Sequence, residues 1–163
     1  MKHASILTAA AALLLWSSPA GADLSRGVQA KMKGKIVISA SGLPDTTGDD
    51  AATLRALKKA GAAPLAHEKV NGVPTWRFDF IAFMKRKPNA KMVSLDFYRD
   101  DKSKAFVAQE RLAGIDPSLT LLQSTAELSA DDGLEPGKRY IVKLAATVNG
   151  KEVVLATTKV QTR

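Results

Sequence analysis

Cysteine is absent from the 163 residues. Disulfides are therefore excluded, and so is the lipid that some bacterial precursors carry on a cysteine at the cleavage site. Histidine is limited to His3 and His67, so the usual Cys and His set of a zinc site cannot be assembled. Aromatic residues make up 6% of the chain, a poor supply for the walls of a sugar cleft. Two acids that meet in a fold would still serve glycoside hydrolysis, and the sequence leaves that open. Neither a Gly-x-Ser-x-Gly elbow nor a phosphate-cradling glycine loop occurs. No apolar stretch reaches the roughly 20 residues that a membrane-spanning helix needs.

The start of the chain carries a targeting pattern. Lys2 gives a positive end, and Ile6 to Trp16 is an uncharged, mostly apolar run too short to cross a bilayer. Ser17-Ser18-Pro19 break it, and Ala20 and Ala22 place small residues where a signal peptidase requires them. The first 22 residues contain no arginine, unlike a mitochondrial targeting peptide. Residues 1–22 are therefore expected to be a cleavable signal peptide of bacterial style, cut between Ala22 and Asp23. The product is expected in the periplasm or outside the cell.

Removal of the leader leaves 141 residues, enough for one domain with its own core. The whole chain has 24 Lys and Arg against 16 Asp and Glu. Loss of Lys2 leaves 23 against 16, a net charge of +7. That favours anionic partners, although such attraction is screened beyond about 8 Å at physiological salt.

Residues 23–35 are polar and basic, and read as a flexible lead-in. Residues 36–163 read as a single domain. Ile36-Val37-Ile38 is β-branched and predicts a strand. Asp49 to Ala60 predicts a helix, with acids at its start, Lys58 and Lys59 in its last turn, and Gly61 as its stop. Asn71-Gly72 predicts a tight turn. From Thr75 the pattern changes to period two, with Trp76, Phe78, Phe80, Ala82 and Met84 on a core face. Ile81 and Phe83 on the other face need cover of their own. Val93, Leu95 and Phe97 alternate likewise, and the two segments are expected to pair as a long hairpin. Residues 105–112 fit either a helix or a strand, whereas 119–128 read as a strand. Tyr140 to Val148 and Val153 to Thr162, joined by Asn149-Gly150, carry the strongest hairpin signal. The fold class expected is mainly β, an antiparallel immunoglobulin-like β-sandwich with one or two short helices.

Leu134-Glu135-Pro136-Gly137-Lys138-Arg139-Tyr140 resembles the turn before the sixth strand of fibronectin type III domains. The resemblance implies that Leu134 packs inward and that the Tyr140 hydroxyl bonds back to the chain. It covers residues 133–160 and speaks to structure, since such sandwiches host many functions. Trp76 departs from the pattern: the family places a core tryptophan on its second strand, whereas Trp76 opens a long strand after a helix.

No catalytic, cofactor-binding or metal-binding pattern stands out. His67 lies in a polar stretch and reads as a surface residue without triad partners. Asp131, Asp132 and Glu135, and separately Asp100 and Asp101, offer carboxylates, but not in the spacing of a calcium loop. The working surface expected is Lys85 to Lys91, in which Lys85, Arg86, Lys87 and Lys91 are cationic and none is acidic. Arg86 suits a phosphate or carboxylate fork, and the lysines add point charges. The function expected is a non-enzymatic module of the cell envelope with a binding or structural role. Its partner would be an envelope protein or an anionic surface component, and nucleic acid is not expected. The competing readings are recognition of an anionic polymer or lipid headgroup through this basic segment as the tip of the expected hairpin, and, least favoured, a small hydrolase.

Overall fold

The computed structural model describes residues 24–46 and 48–163. The expected signal peptide and the expected cut between Ala22 and Asp23 lie outside the described residues. The chain opens with helix α1 (Arg26–Met32), strand β1 (Ile36–Ser39) and helix α2 (Asp50–Ala62). Strands β2 (Glu68–Val70), β3 (Val73–Phe83), β4 (Met92–Arg99), β5 (Phe106–Ala113) and β6 (Leu121–Ser129) follow. A 3-10 turn (Ala130–Asp132) leads into β7 (Arg139–Val148) and β8 (Lys151–Gln161).

The strands form two antiparallel sheets of four. In the second sheet the order is β5-β4-β7-β8. In the first, β6 pairs with β3 along residues 75–83. β1 meets β3 at residues 79–82 and β2 meets it at 73–75, so both lie on the edge opposite β6, end to end. The inward faces of both sheets share one core. Trp76, Phe78, Phe80, Ala82 and Met84 from β3 and its end meet Val93, Leu95, Phe97, Tyr140, Val142 and Leu144, all at most 3% exposed. Phe78 and Phe97 touch edge to face across the interior, their ring centroids 6.2 Å apart.

That contact corrects the expected pairing of β3 with β4. Both strands alternate as expected, but they lie in opposite sheets and face each other. Period two reports which side of a strand is buried and is silent on whether the partner lies beside it or across from it. The segment 105–112 is resolved as strand, since β5 pairs with β4 from Met92↔Ala113 to Tyr98↔Phe106 with a bulge at Phe97/Tyr98.

The outer face of the first sheet carries a second apolar layer. Val37, Ile81 and Phe83 pack against Leu24, Val28 and Met32 of the α1 region and Leu54 and Leu57 of α2. Ile81 and Phe83 thus obtain the cover their position demands, at 3% and 2% exposure. This corrects the reading of residues 23–35 as a flexible lead-in. Ser25 caps α1 by accepting from the Val28 N–H (3.1 Å) and donates to Asp50 at the head of α2 (2.6 Å). Leu24, Val28 and Met32 recur at four-residue spacing, one stripe of a helix. Asp49 caps α2 by accepting from Ala52 N–H (2.7 Å). That helix runs through Gly61 to Ala62 instead of stopping at the glycine, which does not take the positive φ of a helix stop.

Both Asn-Gly turns form as expected, with φ of 52° and 86° at Asn71-Gly72 and 53° and 74° at Asn149-Gly150. The corner before β7 also forms. Leu134 is 1% exposed, and the buried Tyr140 hydroxyl accepts the Glu135 backbone N–H at 2.8 Å. Thr162 braces the same corner, donating to the Glu135 carbonyl (2.6 Å) and accepting from Lys138 N–H (3.1 Å).

One flank of the sandwich is closed. Gly34 accepts from Thr157 N–H (3.0 Å), Leu155 from Lys85 N–H (2.8 Å) and Gln161 from Leu65 N–H (2.7 Å), so the outer edge of β8 is tied to the first sheet's side. On the opposite flank β5 and β6 are the edge strands.

Candidate functional site

Lys85 to Lys91 connect β3 to β4 and so cross from one sheet to the other at one end of the sandwich. Lys85, Arg86, Lys87 and Lys91 are all exposed, while Pro88 between them is buried. The segment is anchored to its neighbours. Met84 donates its N–H to Thr120 (2.8 Å), Lys85 donates to Leu155, and Lys91 accepts from Ile115 N–H (3.0 Å). The aliphatic stem of Lys85 lies over Gly34, where an added β-carbon would come within 2.7 Å of Lys85 Cε. The four cations therefore sit on a crossing fixed at both sheets, instead of on the free tip of a hairpin.

The fold brings further charge to this end. Gly34 donates to the Phe83 carbonyl and Lys35 accepts from Phe83 N–H (2.9 Å), which places Lys33 and Lys35 beside the end of β3. Ser94 of β4 pairs with Ala145 of β7 in antiparallel register, so the start of β4 lies at the same end as the Asn149-Gly150 turn and Lys151. All seven cations are exposed. Among the described residues none of them forms an ion pair. Asp116, next to the Ile115 whose N–H bonds Lys91, and Glu152, next to Lys151, bring acid to this end. Hydrogen bonds from the Ser118 hydroxyl (2.7 Å) and N–H (2.8 Å), helped by Lys87, hold the Asp116 carboxyl below the ordinary carboxylate range. Lys33, Lys35 and Lys151 were not legible as members, because only the pairing of distant strands brings them together.

His67, Asp132, Glu135, Asp100 and Asp101 have structural partners. His67 Nδ1 lies 2.7 Å from the Arg163 carbonyl, and its ring leans on Trp76 with centroids 5.5 Å apart. Asp132 accepts from the Ser129 N–H and hydroxyl, both at 2.8 Å, and caps the 3-10 turn. Glu135 pairs with Arg99. Asp100 binds Lys159 (3.0 Å) and Lys104 (3.1 Å), which hold its carboxyl below the ordinary range. Asp101 accepts from Ser103. Among the described residues no three His, Asp or Glu side chains gather as metal ligands.

An open depression of about 470 Å³ lies beside Arg77, Asp79, Glu110, Thr125 and Glu127. Arg77 is held there by Glu68 (2.8 Å) and Glu127, so its guanidinium is already engaged. Glu110 projects inward from β5, and burial, with a smaller push from Asp132, raises its carboxyl above the ordinary range. No imidazole lines this depression. No helix among the described residues is long and apolar enough to cross a membrane. No family model, no curated protein and no solved structure matches the chain.

Proposed function

We propose that the chain is an exported, non-enzymatic β-sandwich module of the cell envelope that holds an anionic component against its basic end. The observation that carries this is the gathering of Lys33, Lys35, Lys85, Arg86, Lys87, Lys91 and Lys151, without ion-pair partners, at one end of the sandwich. Like charges so placed repel one another, which is tolerable when an anion neutralises them. Arg86 brings the planar fork suited to phosphate or carboxylate, and the lysines surround it as point charges. Export is supported by the Lys2 start, the Ile6–Trp16 run and the small residues at Ala20 and Ala22. N-terminal sequencing of the secreted product is expected to read from Asp23.

The binding reading is tested with the K85Q/R86Q/K87Q/K91Q variant of the processed protein. Each cation near an anionic surface contributes about 1 kcal/mol, so four removals are expected to weaken binding by roughly a thousandfold. Binding by the parent protein should also fall steeply with salt. The melting temperature should stay within a degree or two, because the side chains are exposed. Undiminished binding by the variant refutes the reading.

The sandwich itself is proposed to be immunoglobulin-like, of the fibronectin type III pattern. β1 and β2 lie end to end on one edge of β3, and can be counted as one strand interrupted by residues 40–67. With that count β3 is the second strand and β7 the sixth. Tyr140 then opens the sixth strand, as the resemblance implies, and Trp76 stands on the second, which answers the departure read from the sequence. The bond from Glu135 N–H to the Tyr140 hydroxyl supports the same assignment.

A further inference from the structure

We infer that the anionic component is a lipid surface, and that Met92 and Leu119 are the side chains that enter it; this rests on the binding role proposed for the basic end. Three large apolar residues are exposed among those described, Met92 at 54%, Phe106 at 56% and Leu119 at 52%. Phe106 rests edge-on against Tyr98. The other two stand at the basic end. Met92 follows Lys91 directly, and Leu119 adjoins Thr120, whose carbonyl accepts the N–H of Met84 next to Lys85. Their local backbone is fixed. Met92 pairs with Ala113 in the sheet, and Leu119 donates its N–H to Asp116 (3.4 Å).

The chemistry of the two side chains selects among anions. A hydrated polysaccharide or an acidic protein loop offers charge to the lysines but no apolar phase for a thioether and an isobutyl group. A bilayer with anionic headgroups offers both within a few ångströms of depth. The long stems of Lys85, Lys87 and Lys91 let their ammonium groups remain at headgroup level while Met92 and Leu119 go deeper. Asp116 and Glu152 oppose the attraction. Asp116 is hydrogen-bonded by Ser118 and faced by Lys87, so the balance at this end stays cationic.

The test uses the processed protein with sucrose-loaded vesicles at physiological salt, pelleted by centrifugation. Vesicles of phosphatidylcholine with a quarter phosphatidylglycerol are compared with phosphatidylcholine alone, and retention on heparin is measured in parallel. The parent protein is expected to pellet with the anionic vesicles only. The M92S/L119S variant is expected to lose about tenfold in vesicle affinity per residue, while keeping its heparin retention and melting temperature. The K85Q/R86Q/K87Q/K91Q variant is expected to lose both. Vesicle binding unchanged in M92S/L119S overturns the inference, as does loss of its heparin retention alongside. Heparin retention by the parent protein with no vesicle binding also overturns it, and leaves the broader anionic reading standing. Binding to neither probe defeats both.

Discussion

The corner before β7 makes a quantitative claim that can be tested by removing one oxygen. In Tyr140→Phe the ring stays, and so does its packing, because the side chain is fully buried. The lost hydroxyl is the acceptor for the Glu135 N–H at 2.8 Å. That N–H has no other hydrogen-bond acceptor among the described residues, so the variant leaves a partly buried donor unpaired. An intramolecular bond contributes about 0.5–1.5 kcal/mol net, and an orphaned buried group costs about 1–3 kcal/mol. Allowing for the polar oxygen no longer buried, the expected loss is about 1.5 kcal/mol. In urea, with a slope of about 2 kcal/mol per molar for a domain of this size, the midpoint should fall by about 0.75 M with the slope unchanged. The melting temperature should fall by about 5 °C. Thr162→Val removes the second brace at the same residue, the bond to the Glu135 carbonyl, and should cost a similar amount. The two losses should not add, since both act on Glu135. A Tyr140→Phe midpoint within 0.1 M of the parent, roughly the error of the measurement, would show that the hydroxyl does not hold this corner.

Leu57 is 1% exposed between α2 and the outer face of the first sheet. Leu57→Ala should cost about 3 kcal/mol in urea unfolding and speed amide exchange in α1 and α2 ahead of the sandwich. A loss below about 1 kcal/mol would mean that the helical layer is not packed as described. Glu110 points inward from β5, and its carboxyl is raised above its reference value of 4.5 by burial and then by Asp132. A raised acid favours the folded state when protonated, so its contribution is complete below the unfolded value and is lost as pH rises through the folded one. Glu110→Gln should therefore be more stable than the parent at pH 7, by about 0.5 kcal/mol or less, with the difference closing below about pH 4. A variant less stable at pH 7 than the parent would refute the environment assigned to Glu110.

The parts of this fold legible in the sequence were those written in short range. Alternation at Trp76–Met84 and Tyr140–Ala146 gave the buried faces, because a strand repeats every two residues whatever lies opposite. Asn71-Gly72 and Asn149-Gly150 gave their turns, because both φ values must be positive there. The identity of the partner strand was not written in the same way. β3 and β4 carry equal periodicity, and the eight residues between them suit a wide hairpin as well as a crossing between sheets. α1 was hidden by its polar surroundings, although Leu24, Val28 and Met32 already marked one helical stripe. At the basic end, Lys85 to Lys91 announced themselves as a run. Lys33, Lys35 and Lys151 joined them only through long-range pairing of β1, β3, β7 and β8.

The bonds from Gly34, Leu65 and Lys85 to β8 have a bearing on solution behaviour. β5 and β6 bring their unpaired backbone borders to one side of the molecule, where a mate can satisfy them. Once that couple forms, the long borders of β5 and β6 are covered, and what is left is the partly bonded side of β2 and β8. Growth into ribbons or fibres would require the side that those bonds lock to peel apart first. Concentrated solutions should thus stop at twofold association unless the lock between Leu65 and Gln161 is broken.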